Sequence, residues 1–455
     1  MSAVIGTERE QACRLQALVT GAPSRVVAFD AGRPVTRALF ERHVRAVAAA
    51  LPSAGYAVNL CEDRYRFIVA LCAAALRGQV TLLPPSRAPA VVDTVRADHP
   101  DSICIGDIPL DPAPPGFWRL PDELAELDGA PLEIDADATL LIGFTSGSTG
   151  QPKPNLKTLA SFVTSTMQNL AAMDDLFARD DVTPLVATVP PQHMYGMETS
   201  VMLPLLGDVA VHGGRPFFPQ DVARAVADCP RPPVLVTTPV HLRALVQAHG
   251  DDPSFAMPPI AAIVSATAPL PQDLAQAAEA AFGCEVREMF GSTETCILAR
   301  RRTAHDDAWT TLPGVTLAPQ PDGTLVDAPH LATPVALADL VELLPDGRFR
   351  LRGRNADLLE IAGKRASLGD LTRKLLSVPG VLDGVVVQLD ADAHGVCRIA
   401  ALAVAPTLKS DDILRALRQQ MDPVFLPRRL RCIASLPRNE TGKLPRATVL
   451  ALLHS

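Results

Sequence analysis

The chain alternates short apolar segments with segments whose apolar residues recur at helical spacing. Residues 36–51 place five apolar side chains near one helix face, with Thr36 as the predicted N-cap: Leu39, Val44, Val47, Ala48 and Leu51. Strands are predicted at 56–60, 79–83, 138–144, 185–189, 209–211, 234–238 and 260–264. Helices are predicted at 64–76, 199–206, 220–227, 240–248 and 274–282. This alternation indicates parallel sheets covered by helices, and therefore an α/β fold.

The length and composition restrict the class of protein. A chain of 455 residues exceeds one ordinary core, so two or three domains are expected. A formal net charge of -8 argues against nucleic acid as a partner. The apolar run at 67–76 is cut by Arg77, so no membrane insertion is expected. The first residues show no secretory pattern and the nine cysteines form no C-x-x-C pair, which favours a reduced, cytoplasmic location.

A change of composition near Asp357 predicts a domain boundary. Before it, Asp346 and Gly347 separate two strand-like segments at 340–344 and 348–352, which is a hairpin signal. After Gly353 the chain becomes charged and punctuated by glycine. The last ~100 residues are long enough for a small α+β domain, in which we expect two amphipathic helices and a strand.

A loop of glycine and hydroxyl residues follows the predicted strand at 138–144. Its members are Thr145, Ser146, Gly147, Ser148, Thr149, Gly150, Gln151, Pro152 and Lys153. Glycines let backbone N–H groups turn toward an anion, hydroxyls add donors, and the lysine adds charge. The spacing is not that of the kinase and GTPase P-loop. A phosphate cradle is favoured, and a flexible surface turn is the alternative.

Four further stretches follow this loop in a fixed order. They read Pro-Pro-Gln-His-Met-Tyr-Gly at 190–196, Met-Phe-Gly-Ser-Thr-Glu at 289–294, Gly-Arg-Asn-Ala-Asp at 353–357 and Pro-Arg-Asn-Glu-Thr-Gly-Lys at 437–443. With the loop, they make nearly the whole chain resemble the adenylate-forming superfamily of acyl-CoA synthetases, aryl-acid ligases, peptide-synthetase adenylation domains and luciferases. The resemblance implies a large N-terminal domain at 1–353, with layered parallel sheets and a β-rich subdomain. It also implies a hinge at 354–358 and a small mobile α+β lid domain at 359–455.

The resemblance implies a two-step reaction. Such enzymes use ATP and Mg²⁺ to convert a carboxylic acid to an acyl-adenylate with release of pyrophosphate. They then pass the acyl group to the phosphopantetheine thiol of an acyl carrier protein or of CoA. Because the carboxylate and the α-phosphate are both anionic, the site needs cations and oriented donors. Lys443 matches the lysine that bridges these two groups, a task suited to a compact ammonium. A solvated surface lysine is the alternative.

The stretch at 289–294 is expected to bind ATP. By the resemblance, Thr293 contacts the α-phosphate, and Glu294 is the ligand of Mg²⁺, a hard cation that prefers carboxylate oxygen. Phe290 stands where the family usually has tyrosine, and its ring could stack on adenine or simply belong to the core. Gly291 and Ser292, which lie between Phe290 and Thr293, are assigned to the same ATP-binding turn.

Other positions complete the expected nucleotide site. The turn that would line the adenine and acyl pocket consists of small residues: Ser265, Ala266 and Thr267. Asp339 and Arg354 match residues that hold the ribose, although Leu337 and Ala338 replace the usual Thr-Gly before the aspartate. Asp357 falls at the hinge position.

The acid is expected to lie beside His193. This histidine matches the one that flanks the substrate carboxylate in acyl- and aryl-CoA ligases, and it could also be an ordinary strand-end histidine. The expected pocket is His193, Met194, Tyr195 and Gly196, without the aspartate of amino-acid-activating domains. Glu198 could bind a substrate hydroxyl, but the preferred interpretation is an acid at a helix N-terminus.

Several departures from the family narrow the substrate. Glu360 stands where many family members have a lysine, so the charge at this position is reversed. The stretch from Glu294 to Asp339 is short for the family, and this disfavours a long fatty-acyl tunnel. Residues 363–368 resemble hydroxybenzoate:acyl-carrier-protein ligases of aryl-polyene pigment pathways. The first hypothesis is therefore an ATP-dependent acid–thiol ligase with an aryl or short acyl substrate, most of all an aryl acid such as a hydroxybenzoate. A medium-chain acyl-CoA or acyl-ACP synthetase and a non-catalytic nucleotide-binding member are the alternatives. The identity of the acid, the acceptor and the oligomeric state stay open.

Overall fold

The computed structural model describes most of the chain, in the ranges 14–30, 33–146, 152–179, 181–354, 358–361, 364–389, 398–438 and 444–454. It forms two compact units, one comprising 1–215 with 228–231 and the other 216–227 with 232–455. The domain division predicted at 354–358 stays a prediction, and residues 355–357 lie outside the described ranges.

The first unit contains the elements up to residue 212. Its strands are β1 (Leu15–Ala17), β2 (Val26–Asp30), β3 (Arg33–Thr36), β4 (Tyr56–Asn59), β5 (Val80–Leu83), β6 (Ser102–Gly106), β7 (Phe117–Arg119), β8 (Glu133–Asp135), β9 (Thr139–Ser146), β10 (Pro152–Thr158), β11 (Thr183–Ala187) and β12 (Val209–His212). Its α-helices are α1 (Arg37–Ala50), α2 (Arg64–Leu76), α3 (Pro89–Ala97), α4 (Leu159–Met173), α5 (Met194–Met197) and α6 (Leu203–Leu206). A 3-10 turn, Asp174–Leu176, and a π-helical segment, Glu198–Met202, are also present.

Two layers of mostly parallel strands organise this unit. One sheet has the strand order β10-β9-β5-β4-β6-β7 and is parallel except for the pair β9–β10. A second group of paired strands in this unit has the order β11-β12-β2-β3 and is parallel except for the pair β2–β3. Helix α1 starts where Thr36 Oγ1 accepts a hydrogen bond from the Leu39 N–H, as predicted. Helix α2 starts at its N-cap Asp63 and is buried on nearly every side. An α/β fold with parallel sheets is confirmed.

The second unit contains the remaining elements. Its α-helices are α7 (Pro219–Ala227), α8 (Pro239–Asp251), α9 (Gln272–Phe282), α10 (Leu368–Leu376), α11 (Ser410–Leu417) and α12 (Arg446–His454), with a 3-10 turn at Pro423–Phe425. Its strands are β13 (Val234–Thr237), β14 (Ala262–Ser265), β15 (Glu285–Ser292), β16 (Cys296–Arg301), β17 (Thr310–Thr311), β18 (Thr316–Gln320), β19 (Gly323–Asp327), β20 (Val335–Leu337), β21 (Asp339–Leu343), β22 (Phe349–Arg354), β23 (Leu358–Ile361), β24 (Lys364–Ser367), β25 (Asp383–Gln388), β26 (Ile399–Val404) and β27 (Arg429–Cys432).

Strands β13, β14 and β15 are parallel neighbours, and β16 and β17 extend them antiparallel. Small antiparallel groups follow, including the hairpin of β21 and β22 around Gly347, close to the predicted bounds. Strands β25, β26 and β27 form a C-terminal sheet. One of its cores includes residues of α10 and α11, and another includes residues of α12.

Two sequence expectations were wrong. The helix predicted at 199–206 begins earlier, at Met194, and its residues 198–202 are π-helical. The described part of the C-terminal segment contains five strands rather than one and three α-helices rather than two, since β23 to β27 include short strands without clear alternation. Among the helices that the structure describes, none is long and apolar enough to cross a membrane.

Candidate active site

In the first unit, the predicted phosphate loop connects the two strands of a hairpin. β9 and β10 are antiparallel, with Thr145 opposite Lys153 and Ser146 opposite Pro152. Thr145 is partly buried, whereas Lys153 is exposed. The ends of the loop are therefore paired across the hairpin. The residues between them lie outside the described ranges, so their phosphate role stays a prediction: Gly147, Ser148, Thr149 and Gly150.

The histidine stretch leads directly into a helix. α5 begins immediately after His193, which is partly buried. Met194 and Tyr195 are 7% and 8% exposed. A Cβ on Gly196 would stand 2.1 Å from the carbonyl oxygen of Pro190, so the backbone makes a close approach that only glycine permits. The four residues of the predicted acid pocket thus occupy one tight turn that is mostly removed from water.

The π-helical segment Glu198–Met202 follows this turn. Thr199 Oγ1 donates to the carbonyl of Tyr195 at 2.6 Å, and Ser200 Oγ donates to that of Gly196 at 2.5 Å. Hydroxyls that bond the carbonyl four residues earlier compete with the regular helical pattern. Single π turns are frequent at functional sites, which is consistent with a ligand pocket here.

Glu198 lies inside this segment and is 1% exposed. Its Oε1 accepts a hydrogen bond from Asn169 Nδ2 of α4 at 3.1 Å. Burying a carboxylate is costly unless it is hydrogen-bonded or paired. Because the helix already begins at Met194, Glu198 lies in the second turn, and its preferred interpretation as a helix N-terminal acid was wrong. The alternative, contact with a substrate hydroxyl, stays a hypothesis.

Sequence reasoning missed Arg64, the fully buried first residue of α2. Its guanidinium donates to the carbonyl oxygens of Ala187 at 3.0 Å and Val189 at 2.7 Å, and also to Ser200 Oγ. Burial lowers the pKa of Arg64 to about 9. The side chain fixes the end of β11 against the π-helical segment, on both sides of the histidine stretch. A charged residue opening an apolar helix was the available sequence signal.

In the second unit, two predicted ATP-binding turns follow adjacent parallel strands. β14 ends at Ser265, and β15 runs beside it with Glu288 opposite that residue. Because the carboxyl ends of parallel strands lie at one edge of a sheet, residues 265–267 and 290–294 lie at the same edge. This is where open α/β sheets bind their ligands. The structure thus brings together two stretches separated by more than twenty residues of sequence.

The turn after β14 has two features of a ligand site. The Ser265 hydroxyl is fully buried and has no hydrogen-bond partner in the described protein. Thr267 has a φ of 79°, in the left-handed region that β-branched residues rarely adopt. Ala266 between them is 7% exposed. Unpaired buried hydroxyls and strained backbone are unfavourable unless something compensates, and a bound ligand is one such compensation.

The turn after β15 is narrow and internally bonded. A Cβ on Gly291 would stand 2.1 Å from the carbonyl oxygen of Cys296, so only glycine fits. Ser292 Oγ accepts a hydrogen bond from the Thr295 N–H at 3.1 Å. These contacts hold the tip of the turn in one conformation. The residues at that tip are both partly buried: Thr293 and Glu294.

Phe290 lies beside an aromatic cluster. Its ring centroid is 5.6 Å from that of Trp309 and 6.1 Å from that of Phe349, while Arg301 stacks over Trp309 at 4.4 Å. Phe290 itself is partly buried. These contacts support the interpretation that Phe290 belongs to the core. Stacking of its exposed part on adenine stays a prediction.

The two predicted ribose residues are cross-strand partners. Asp339 opens β21 and stands opposite Arg354, the last residue of β22. The Asp339 backbone is held by Thr324, whose Oγ1 donates to its carbonyl at 2.6 Å. The hairpin therefore brings together two positions that the sequence separates, although their role stays a prediction.

Two further predicted residues, Lys443 and Asp357, lie outside the described residues. Their roles as catalytic lysine and hinge stay predictions. The described ranges nearest to Lys443 end at Arg438 before it and begin at residue 444 after it.

Glu294 is the candidate metal ligand. In the described ranges, no group of three or more His, Cys, Asp or Glu side chains is placed to hold a metal ion. Mg²⁺ usually keeps several waters and binds through one or two carboxylates together with substrate phosphates. A single partly buried glutamate fits a magnesium ion that arrives with ATP, where it would neutralise phosphate charge.

Comparisons with known proteins identify the family to which the chain belongs. Residues 15–334 match the family described as AMP-binding enzyme. Sulfoacetate–CoA ligase of Cupriavidus necator is 29% identical over 392 residues, which cover 76% of this chain and 73% of that protein. 4-Coumarate–CoA ligase of Rhodobacter capsulatus is 29% identical over 309 residues, covering 66% and 73%.

A solved structure shares the fold over nearly the whole length. The o-succinylbenzoate CoA synthetase of Bacillus subtilis, in complex with its acyl-adenylate intermediate, superimposes with a TM-score of 0.78 at 17% identity. The match covers 96% of this chain and 98% of that one. The chain belongs to the AMP-binding enzyme family. It is an adenylating enzyme of the acyl- and aryl-CoA ligase type, a family that uses ATP and Mg²⁺ with a thiol acceptor.

Proposed function

We propose that this protein activates an aryl carboxylic acid such as a hydroxybenzoate. ATP converts the acid to an acyl-adenylate with release of pyrophosphate, and the acyl group then passes to a phosphopantetheine thiol. The observation that carries the proposal is the common sheet edge of the turns at 265–267 and 290–294, where the buried Ser265 hydroxyl has no hydrogen-bond partner among the described residues. That edge offers donors and a carboxylate to a nucleotide.

Each expected residue has a physical task in the first step. Lys443 would neutralise charge between the acid carboxylate and the α-phosphate as they approach. Thr293 would donate to the α-phosphate, and Glu294 would hold the magnesium ion. Thr145 and Lys153, with the loop between them, would bind the pyrophosphate end of ATP. In-line attack by the carboxylate oxygen forms the acyl–phosphate bond and breaks the bond to pyrophosphate.

The aryl preference rests on the turn that follows His193. Met194 and Tyr195 are buried there, and the Gly196 backbone lies too close to the Pro190 carbonyl oxygen for a side chain, so the turn beside the partly buried His193 is tightly packed. The relatives that act on 4-coumarate and o-succinylbenzoate add support, because both acids carry an aromatic ring. Glu198 and Asn169 are buried close to this turn and are hydrogen-bonded to each other. Their side-chain oxygens could accept a hydrogen bond from a hydroxyl group on the ring of the acid.

The acceptor is proposed to be the thiol of phosphopantetheine, carried by an acyl carrier protein or by CoA. A cytoplasmic location is part of the same proposal. A medium-chain acyl-CoA or acyl-ACP synthetase is the second candidate function, and a non-catalytic nucleotide-binding member is the third.

An acid panel separates these candidates. Pyrophosphate release would be measured with 3-hydroxybenzoate, 4-hydroxybenzoate, benzoate and octanoate, each with CoA and with a phosphopantetheinylated carrier protein. We expect the hydroxybenzoates to give the highest kcat/KM. A clear preference for octanoate would replace the aryl proposal by the medium-chain one. ATP binding without pyrophosphate release for any acid would favour the non-catalytic candidate.

A further inference from the structure

Three aromatic rings of the second unit form a small cluster that includes the first residue of the turn at 290–294. The ring centroid of Trp309 is 5.6 Å from that of Phe290 and 6.4 Å from that of Phe349. The centroids of Phe290 and Phe349 are 6.1 Å apart. Because aromatic pairs interact at centroid distances up to about 7 Å, each ring contacts the other two. Trp309 is only 2% exposed, so its ring is almost entirely surrounded by protein.

This aromatic cluster joins two parts of the predicted nucleotide site. Phe349 begins β22, one strand of the hairpin that carries the two predicted ribose residues. The Trp309 N–H donates to the Phe349 carbonyl at 2.7 Å, and the Phe349 N–H donates to the Trp309 carbonyl at 3.0 Å. Val341 of β21 and Leu351 of β22 pack against the same cluster. Trp309 therefore connects Phe290, the ring expected at adenine, to the hairpin expected at ribose.

A largely buried ion pair holds the Trp309 ring from β15 and β16. The guanidinium carbon of Arg301 lies 4.4 Å from the Trp309 ring centroid, and Arg301 Nε donates to Glu288 Oε2 at 2.7 Å. Arg301 also donates to the carbonyl of Asp307 at 3.1 Å, two residues before the tryptophan. The side chains of Arg301 and Glu288 are 15% and 4% exposed. A cation over an indole ring is attracted most strongly where water is excluded, so this contact restricts the position of the ring.

The contribution of Trp309 comes from its ring rather than from its N–H group. Trp309 Nε1 is buried and has no hydrogen-bond partner among the residues that the structure describes. Ring packing and the contact with Arg301 therefore account for its place in the cluster. A smaller aromatic ring at this position should keep part of that packing, whereas an aliphatic side chain should not.

We propose that Trp309 is a positioning residue for ATP, which it serves by holding Phe290 and the hairpin of β21 and β22 in one fixed arrangement. This role rests on the proposed stacking of Phe290 on adenine. Adenine and ribose are remote from the bond that forms in the adenylation step. An interaction that is equally strong in the ground state and the transition state changes KM and leaves kcat unchanged. Loss of Trp309 should therefore raise KM for ATP and leave kcat nearly the same.

The first test is acid-dependent exchange of pyrophosphate into ATP by full-length variants. We expect Trp309→Leu to raise KM for ATP about 2- to 13-fold, which is the range that one aromatic pair contributes. Its kcat at saturating ATP and its KM for the acid should stay within about twofold of the wild type. Trp309→Phe should recover most of the wild-type KM for ATP, because a ring remains beside Phe290.

A double-mutant cycle tests whether Trp309 acts through Phe290. Phe290→Leu should also raise KM for ATP. The double variant with Trp309→Leu should raise it by clearly less than the product of the two single effects, because the ring that Trp309 positions is already absent.

Phe255→Leu is the matched control. Phe255 is 6% exposed and lies between α8 and β14, at the amino end of β14, whereas the turns at 265–267 and 290–294 follow the carboxyl ends of their strands. This variant also replaces a buried ring of the second unit by leucine. It should lose stability in thermal unfolding and keep the wild-type KM for ATP.

A second measurement leaves the aromatic cluster intact. The chain has two tryptophans, and the other one is Trp118 of β7, so in Trp118→Phe all tryptophan emission comes from Trp309. A nucleotide that stacks on Phe290 changes the packing next to the indole. We therefore expect AMP, with its binding measured by calorimetry, to change the Trp309 emission along the same saturation curve.

Four results would overturn the role of Trp309. These are an unchanged KM for ATP in Trp309→Leu, a double variant whose KM rises by the full product, a rise in Phe255→Leu as large as in Trp309→Leu, or Trp309 emission that does not change while AMP binds. AMP binding that Trp309 reports, without exchange for any acid, would instead refute the proposed function and support the positioning role. Wild-type protein that binds neither AMP nor ATP would refute both.

Discussion

The unpaired hydroxyl of Ser265 allows stability and ligand binding to be changed in opposite directions. Ser265→Ala removes a buried oxygen that has no hydrogen-bond partner in the part of the protein that the structure describes. A buried unsatisfied polar group costs about 1–3 kcal/mol, so the free energy of unfolding should rise by up to that amount. For a unit of this size, the midpoint of thermal unfolding should rise about 2–4 °C per kcal/mol.

The same substitution should weaken ATP binding. A hydrogen bond between the hydroxyl and the nucleotide contributes about 0.5–1.5 kcal/mol, so KM for ATP should rise about 2- to 13-fold. The assays are thermal unfolding without ligand and ATP–pyrophosphate exchange over a range of ATP concentrations. Hence one variant should be more stable and bind its ligand less tightly.

Thr81→Val is the matched control. The Thr81 hydroxyl on β5 is also buried with no partner among the residues that the structure describes, but it lies inside a strand rather than in a turn at the end of one. This control should gain stability and keep the wild-type KM. A Ser265→Ala protein that is less stable, with an unchanged KM for ATP, would refute the reasoning, because the hydroxyl would then be satisfied within the protein.

Other substitutions test separate parts of the account. Gly291→Ala places a methyl group against the Cys296 carbonyl and should cost about 1–3 kcal/mol of stability, with a 10- to 100-fold lower kcat in exchange. Glu279 is partly buried, which raises its pKa, but the hydrogen bonds and charge of Arg302, together with hydrogen bonds from the Val286 N–H and from His305, lower the pKa below the ordinary 4.5. Its contribution to stability is therefore present above pH 4.5 and lost as the pH falls through the lowered value. Glu279→Gln should be about 1 kcal/mol less stable at pH 7, and this deficit should vanish in acid unfolding curves. Thr36→Ala should lower stability by about 1 kcal/mol without changing the exchange rate.

The sequence predicted the elements whose signals are local. Helix α2 has the predicted bounds because an N-cap precedes a long apolar segment, and the Asp346–Gly347 hairpin follows from its turn residues. The five family-like stretches were likewise readable, because each depends on residue type and order. Their predicted roles are not decided by the fold alone.

What the sequence did not predict depends on burial and on contacts between distant residues. The helix from Met194 was missed because its residues are buried on all sides, so no amphipathic period is present. The contacts of Arg64 with Ala187 and Val189 join residues more than 120 positions apart. Nor did the sequence alone indicate that the Ser265 hydroxyl has no partner in the described ranges, since this follows only from how its neighbours pack.

The most direct test of the central claim is acid-dependent ATP–pyrophosphate exchange by wild-type protein and by Lys443→Ala. The wild type should exchange with a hydroxybenzoate, whereas Lys443→Ala should lose exchange while it still binds ATP, because the lysine acts on the reacting carboxylate and α-phosphate. Undiminished exchange in Lys443→Ala would contradict the account of adenylation given above.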